Sequence, residues 1–219
     1  MKNTILKSTL LLFCLATLSA CHQAPKEKAI ECHVTPAEVF GCDLTPQDLQ
    51  FHSVLDADFR GSHLFDEWMN PEVEGPNFVC VASTDTAAVA MKAAEFCQNM
   101  DVEARACWQK VKGEEAFELL IIASAPLLDG TSISEATATI SGWGNPQLNI
   151  VFNDAAAKEW KAITADHVGK RIAITMKDLV LSAPTIMGEI DGGKSSVVGP
   201  TEEEICALSQ IFNRQQAAQ

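Results

Sequence analysis

The chain has 219 residues, 47% of them apolar, with 29 acidic against 16 basic side chains and a net charge of −13. That length suits one domain of ordinary size, or one and a half, with its own core. A negative field of this strength repels nucleic acid and anionic head groups, which argues against a nucleic-acid partner.

The first residues, MKNTILKSTLLLFCLATLSAC, place Lys2 and Lys7 ahead of an apolar run from Leu10 to Leu18, then small residues. The run is too short to cross a bilayer, and the pattern reads as a secretory signal peptide over 1–20. LSAC at 18–21 resembles the bacterial lipobox, which implies cleavage before Cys21 and a lipid on that residue. Several acyl chains, at ~0.8 kcal/mol per buried CH₂, give stable anchoring. The expected mature chain is tethered outside the cytoplasm, and loss of Lys2 and Lys7 leaves it with a net charge of −15. His22 stands where an Asp would retain a lipoprotein at the inner membrane, which favours the outer membrane. No later stretch approaches the ~18 consecutive apolar residues of a spanning helix.

Six cysteines remain once Cys14 leaves with the signal and Cys21 takes the lipid: Cys32, Cys42, Cys80, Cys97, Cys107 and Cys206. An even number in an oxidising compartment favours disulfides. The short separations predict local staples Cys32–Cys42 and Cys97–Cys107, leaving Cys80 and Cys206 either as a pair or as buried free thiols.

Residues 21–75 read as a lipid tether followed by an irregular segment. TPAEV (35–39) and TPQDL (45–49) each offer Thr as an N-cap with Pro next, a start signal for a short helix. A folded domain is expected over 76–219. NFVCVAS (77–83) predicts a strand and TDTAAVAMKAAEFCQNM (84–100) an Ala-rich helix. FELLIIASA (117–125) predicts a second strand, with further strands at about 133–142 and 147–153. NDAAAKEWKAITADHVG (153–169) spaces Ala156, Trp160, Ile163 and His167 as one helical face, with Gly169 as terminator. KRIAITM (170–176) and LVLSAPTI (179–186) predict strands, and TEEEICALSQIFNR (201–214) a last helix with Thr201 and Glu204 as a capping box. This order predicts an α+β domain, with helices packed on an antiparallel or mixed sheet.

Residues 188–195, GEIDGGKS, match the phosphate-loop pattern G-x-x-x-x-G-K-[ST]. That loop needs a helix N-terminus directly after the Lys-Ser pair. Here SVVGP follows, a β-like run stopped by Gly-Pro, so the stretch reads as a Gly-rich turn, and no nucleotide is expected. Other chemistry is sparse. Cys32, His33, Cys42, His52 and His63 lack metal-ligand spacing, and disulfides compete for the thiols, so no metal or other cofactor is expected. Asp166 and His167 are helix neighbours that do not face each other. Glu202, Glu203 and Glu204 suit a helix first turn. Asp66, Glu67 and Trp68 read as a surface loop, and Gly142-Trp143-Gly144 as a turn with a packed Trp. With no GxSxG or HExxH, no enzymatic activity is expected.

Across residues 117–213 the chain resembles a known family, the periplasmic head region of SecD, a protein-export membrane protein. The matching residues are Phe152 and Asn153 at a strand end, then Val168, Gly169, Lys170 and Arg171 leading into Ile172, Ala173 and Ile174. Ser182, Ala183 and Pro184 follow, then Gly192 and Gly193, with Thr201 and Glu203 opening the last helix. Before these, APLLDGTSISEATATI (125–140) is similar to another family segment, and the resemblance extends weakly back to residue 76. The resemblance implies the SecD head fold and contact with unfolded polypeptide. It does not carry over the motor, because this sequence lacks the membrane helices and proton path. Lys194 also stands where the family turn has Ser. Two functions are compatible: a lipid-anchored module that binds polypeptide segments by strand addition and assists protein export or envelope protein handling, or a lipoprotein that binds or inhibits one basic envelope protein. The strand at 179–186 and the hairpin at 188–199 are the expected contact segments.

Overall fold

The computed structural model describes residues 27–69, 79–82, 85–111 and 114–216; the expected signal peptide over 1–20 and Cys21 lie outside them. In chain order these residues form β1 (Lys28–Ala29), α1 (Pro36–Phe40), β2 (Leu49–Ser53), α2 (Phe59–Ser62), β3 (Cys80–Ala82) and α3 (Thr86–Gln98). Then come β4 (Ala104–Lys110), β5 (Ala116–Ala123), β6 (Leu128–Asp129), β7 (Ile133–Ile140) and β8 (Pro146–Phe152). The chain closes with α4 (Asp154–Asp166), β9 (Ile172–Met176), β10 (Leu179–Ser182), β11 (Lys194–Val198) and α5 (Glu202–Gln216).

The predicted start signals act as read. Thr35 and Glu38 form a capping box at α1, Asn153 accepts from the Ala156 N–H at α4, and Thr201 and Glu204 cap α5 reciprocally. Besides the two-residue strands β1 and β6, two longer strands were not anticipated. Residues 49–53, within the segment expected to be irregular, form β2 between β9 and β6, and residues 104–110 form β4 between β5 and β10. Neither LQFHS nor ARACWQK has a run of large apolar residues, because each faces a crowded, partly polar interior on one side.

Among the described residues the strands form two sheets, ordered β1-β7-β8-β11 and β3-β5-β4-β10-β9-β2-β6. The first is antiparallel; the second is mixed, with β4 and β10 parallel. This is the α+β class read from the sequence. Past Ser53 the chain turns back onto β5, where Val54 bridges Ile122 and the Leu55 N–H donates to Ile121 O. Strands β5, β4, β10, β9 and β2 thereby close into a small barrel. Closure explains why Cys107, Leu120, Ile122, Ala173 and Val180 are buried on the face turned away from the helices. An arginine sits at each end of the barrel. Arg105 reaches Asp178 at 3.1 Å and the buried His52 at 3.3 Å. Arg171 reaches Glu118 at 2.9 Å and Ala183 O at 3.0 Å.

Outside the barrel lie two cores. Phe51 meets Phe152 and Trp160 edge-on at 5.6 and 5.3 Å, and Phe152 and Trp160 lie tilted at 5.2 Å, between the two sheets, joined by Leu49, Ile205 and Leu208. Phe59, Phe65 and Phe96 cluster with Val89 and Ala93 under α3.

The expected cysteine pairing is corrected. Cys32 bonds to Cys206 across 174 residues, with Cα atoms 5.1 Å apart, while Cys42, Cys80, Cys97 and Cys107 are free thiols. Nearness in sequence misled for a geometric reason. The stretch before α1 lies along α5, which brings Cys32 to Cys206. Cys42 sits past α1, where Lys177 Nζ is 3.5 Å from its sulfur. Cys97 is on α3, outside the barrel wall, whereas Cys107 points inward, so the sheet itself separates them.

Candidate functional site

The two segments singled out as contact regions meet at one groove. Strand β10 is interior, flanked by β4 and β9, so residues 179–182 offer no free edge, which corrects half of the expectation. Beyond Ser182 the chain leaves the sheet, runs over Pro184–Ile190 and returns as β11, the last strand of its sheet. The turn before β11 uses Gly192 and Gly193 at φ 84° and 63°. A Cβ on Gly193 would stand 2.5 Å from Ala157 Cβ, so this turn needs glycine for space as well as conformation. Lys194 opens a strand where a phosphate loop requires a helix N-terminus.

The free edge of β11 follows from its register. The Phe152 N–H donates to Gly193 O, so alternation turns the backbone groups of Gly193, Ser195 and Val197 toward β8 and those of Lys194, Ser196 and Val198 outward. Between that edge and Pro184–Ile190 lies a cavity of about 360 Å³. Its floor is Ile172, Ile174 and Trp160. Trp160 is 2% exposed, and its indole N–H has no hydrogen-bond partner among the described residues. A buried donor left unmade costs roughly 1–3 kcal/mol. Met187 stands on the lip, 88% exposed. The outer wall is clipped to α4: Lys161 pairs with Glu189 at 3.2 Å and Asp191 at 3.1 Å, and the Ile190 N–H donates to Thr164 Oγ1. The hydrogen bonds from Asp191, then Glu189, push the Lys161 amine above its ordinary range, and Lys161 holds the Asp191 carboxyl below its own. A second groove of about 630 Å³ lies where the two sheets meet, lined by Phe117, Leu179, Leu181, Pro146 and Pro200.

The other candidate residues do not assemble. Cys32 is in the disulfide and His52 sits in the barrel wall, away from exposed His63, so the sequence cluster with His33 and Cys42 is dispersed; no metal-ligating group of three is found among the described residues. Burial pushes the thiols of Cys80 and Cys97 up and that of Cys107 to about 11, so none is an activated nucleophile. Glu202, Glu203 and Glu204 occupy the first turn of α5. His167 Nδ1 donates to Ile163 O at 2.7 Å while Nε2 accepts from Ser53 Oγ at 2.7 Å. That Ser–His contact spans 114 residues and was invisible in the sequence; a carbonyl, not a carboxylate, backs the ring. Trp68 stacks under Lys92 Nζ at 4.7 Å, with Asp66 paired to His63. Trp143 is corrected: it is 88% exposed at a hairpin tip rather than packed.

Comparison with known proteins identifies the region. Residues 106–213 match the family model described as SecDF, P1 head subdomain. The protein translocase subunit SecDF of Thermus thermophilus is 34% identical over 79 residues, covering 36% of this chain and 11% of that protein. The SecD subunit of Rhodothermus marinus is 28% identical over 148 residues, covering 62% of this chain and 23% of that protein. The chain thus spans less than a quarter of the length of these relatives. A crystal structure of SecDF in a super-membrane-facing form aligns over 76% of this chain and 19% of that one at 21% identity, with a TM-score of 0.44.

Proposed function

Residues 106–213 belong to the SecDF P1 head subdomain family, and from this we propose that the chain is a non-enzymatic, polypeptide-binding module held in the cell envelope by a lipid on Cys21. It would face the periplasm and serve protein export or envelope protein handling, with no motor, cofactor or nucleotide of its own. The carrying observation is the groove beside β11. It combines an outward-facing strand edge with an apolar floor of Ile172, Ile174 and Trp160. Those are the requirements for capturing an extended chain by strand addition: backbone groups on the edge supply affinity without sequence preference, and the floor takes a side chain. The mobile thioether of Met187 on the lip suits varied ligands.

A second reading rests on the net charge of −13, which favours one basic envelope protein as the partner. Photo-crosslinking from position 187 in cells separates the two. Many unfolded precursors are expected, and a single stoichiometric basic partner would transfer the reading to the second class. Ser196→Pro is the matched variant. It removes an outward N–H from an edge strand, where Pro is tolerated, and should abolish capture while keeping the native far-UV spectrum. Capture that survives this change would rule out strand addition.

A further inference from the structure

We infer that the β7–β8 hairpin tip, through Trp143, docks the domain on the lipid bilayer. The turn Ser141–Asn145 is well built. The Ser141 N–H donates to Asn145 O at 2.8 Å, the Gly144 N–H donates to Ser141 O at 2.9 Å, and the Asn145 N–H donates to Ser141 Oγ at 3.1 Å. It is also uncharged, reading Ser-Gly-Trp-Gly-Asn. This ordered turn holds an indole 88% exposed. The position of β1 says what covers it. Lys28 pairs with Ile140 and Ala29 with Thr139, antiparallel, so the chain preceding Lys28 heads toward the same end as the hairpin tip. Glu27 is fixed there, accepting from Gln147 Nε2 at 3.0 Å and Asn149 Nδ2 at 2.7 Å. Five residues lie between Cys21 and Glu27, and covalent geometry limits that span to about 20 Å.

If Cys21 carries the lipid, as the proposed function holds, this end of the four-stranded sheet must face the membrane at close range. Trp is the side chain best suited to that depth, with an apolar ring for the acyl boundary and an N–H for the head groups. Val198, 47% exposed and paired with Gln147, adds apolar surface at the same end. The tip and the lipid then form two attachments, fixing orientation where a tether alone would leave the domain free to tumble. Ser195 and the Gly192-Gly193 turn lie toward the other end of β11, directed away from the bilayer.

The test uses the full lipidated chain in phosphatidylethanolamine–phosphatidylglycerol vesicles whose acyl chains are brominated near the head group. One of four tryptophans should be quenched, removing up to about a quarter of the emission, and Trp143→Ser should abolish that loss. Wild-type emission unchanged by brominated lipid, or quenching that persists in Trp143→Ser, would overturn the inference. A Trp143 response to denatured polypeptide but not to brominated lipid would assign the tip to a protein partner and overturn it equally. Mass measurement of the N-terminal peptide reports separately on the lipid, so a failed anchor and an undocked tip are distinguishable.

Discussion

At the scale of single residues, His52 makes the sharpest prediction. Its ring is fully buried, with Nδ1 donating to Ala123 O at 2.8 Å and Arg105 3.3 Å from Nε2. Burial, reinforced by the Arg105 charge, lowers its pKa below the ordinary 6.5. The unfolded chain therefore takes up the proton first as pH falls. The contribution of neutral His52 to stability is complete above pH 6.5 and is lost as pH drops toward the folded-state value. Urea midpoints measured from pH 8 downward should fall below 6.5, and His52→Gln should flatten that limb whatever it does to absolute stability. An unchanged slope in the variant would place the acid sensitivity elsewhere. The sequence offered His52 only as one of five histidines; its role depends on closure of the barrel around it.

At the scale of elements, the Cys32–Cys206 bridge ties the stretch before α1 to α5. Closing a loop of 174 residues contributes up to about 5 kcal/mol in the chain-entropy model. Cys206→Ser, or reduction, should lower the urea midpoint markedly, and non-reducing peptide mapping should recover Cys32 linked to Cys206. Recovery of Cys32 linked to Cys42 would restore the local staple. The start signals were legible because a cap is a contact between residues three apart, as in Thr35–Glu38 and Thr201–Glu204. The pairing was not, since which thiols meet depends on packing between elements far apart in the chain. Strands β2 and β4 were missed for the same reason: their inward residues include His52, Arg105 and Cys107, a polar and small set that reads as a strand only once the barrel encloses it.

At the scale of the whole molecule, the prediction concerns attachment. Cys21→Ser should leave the fold intact, with an unchanged thermal transition, and abolish labelling by palmitate. Continued palmitate incorporation would remove the lipobox reading and the orientation built on it. Fractionation of the wild-type chain between inner and outer membranes would then decide between the sorting residue, His22, and association with an inner-membrane export complex.

The α+β class, the positions of α3, α4 and α5, the strand character of 133–152 and 170–182, and the family resemblance of residues 117–213 were all legible in the sequence. Each rests on periodicity, caps or an ordered motif, all of which are local in the chain. Tertiary structure alone decided that residues 49–55 close a barrel, that Cys32 meets Cys206, and that β10 is interior while β11 is an edge. It also placed Trp160 with its N–H unmade beside that edge and left Trp143 in the open. The sequence reads both tryptophans as packed, yet only Trp160 is buried. Burial belongs to the packing of sheets against one another, and one indole sits between them while the other tops a turn beyond their end.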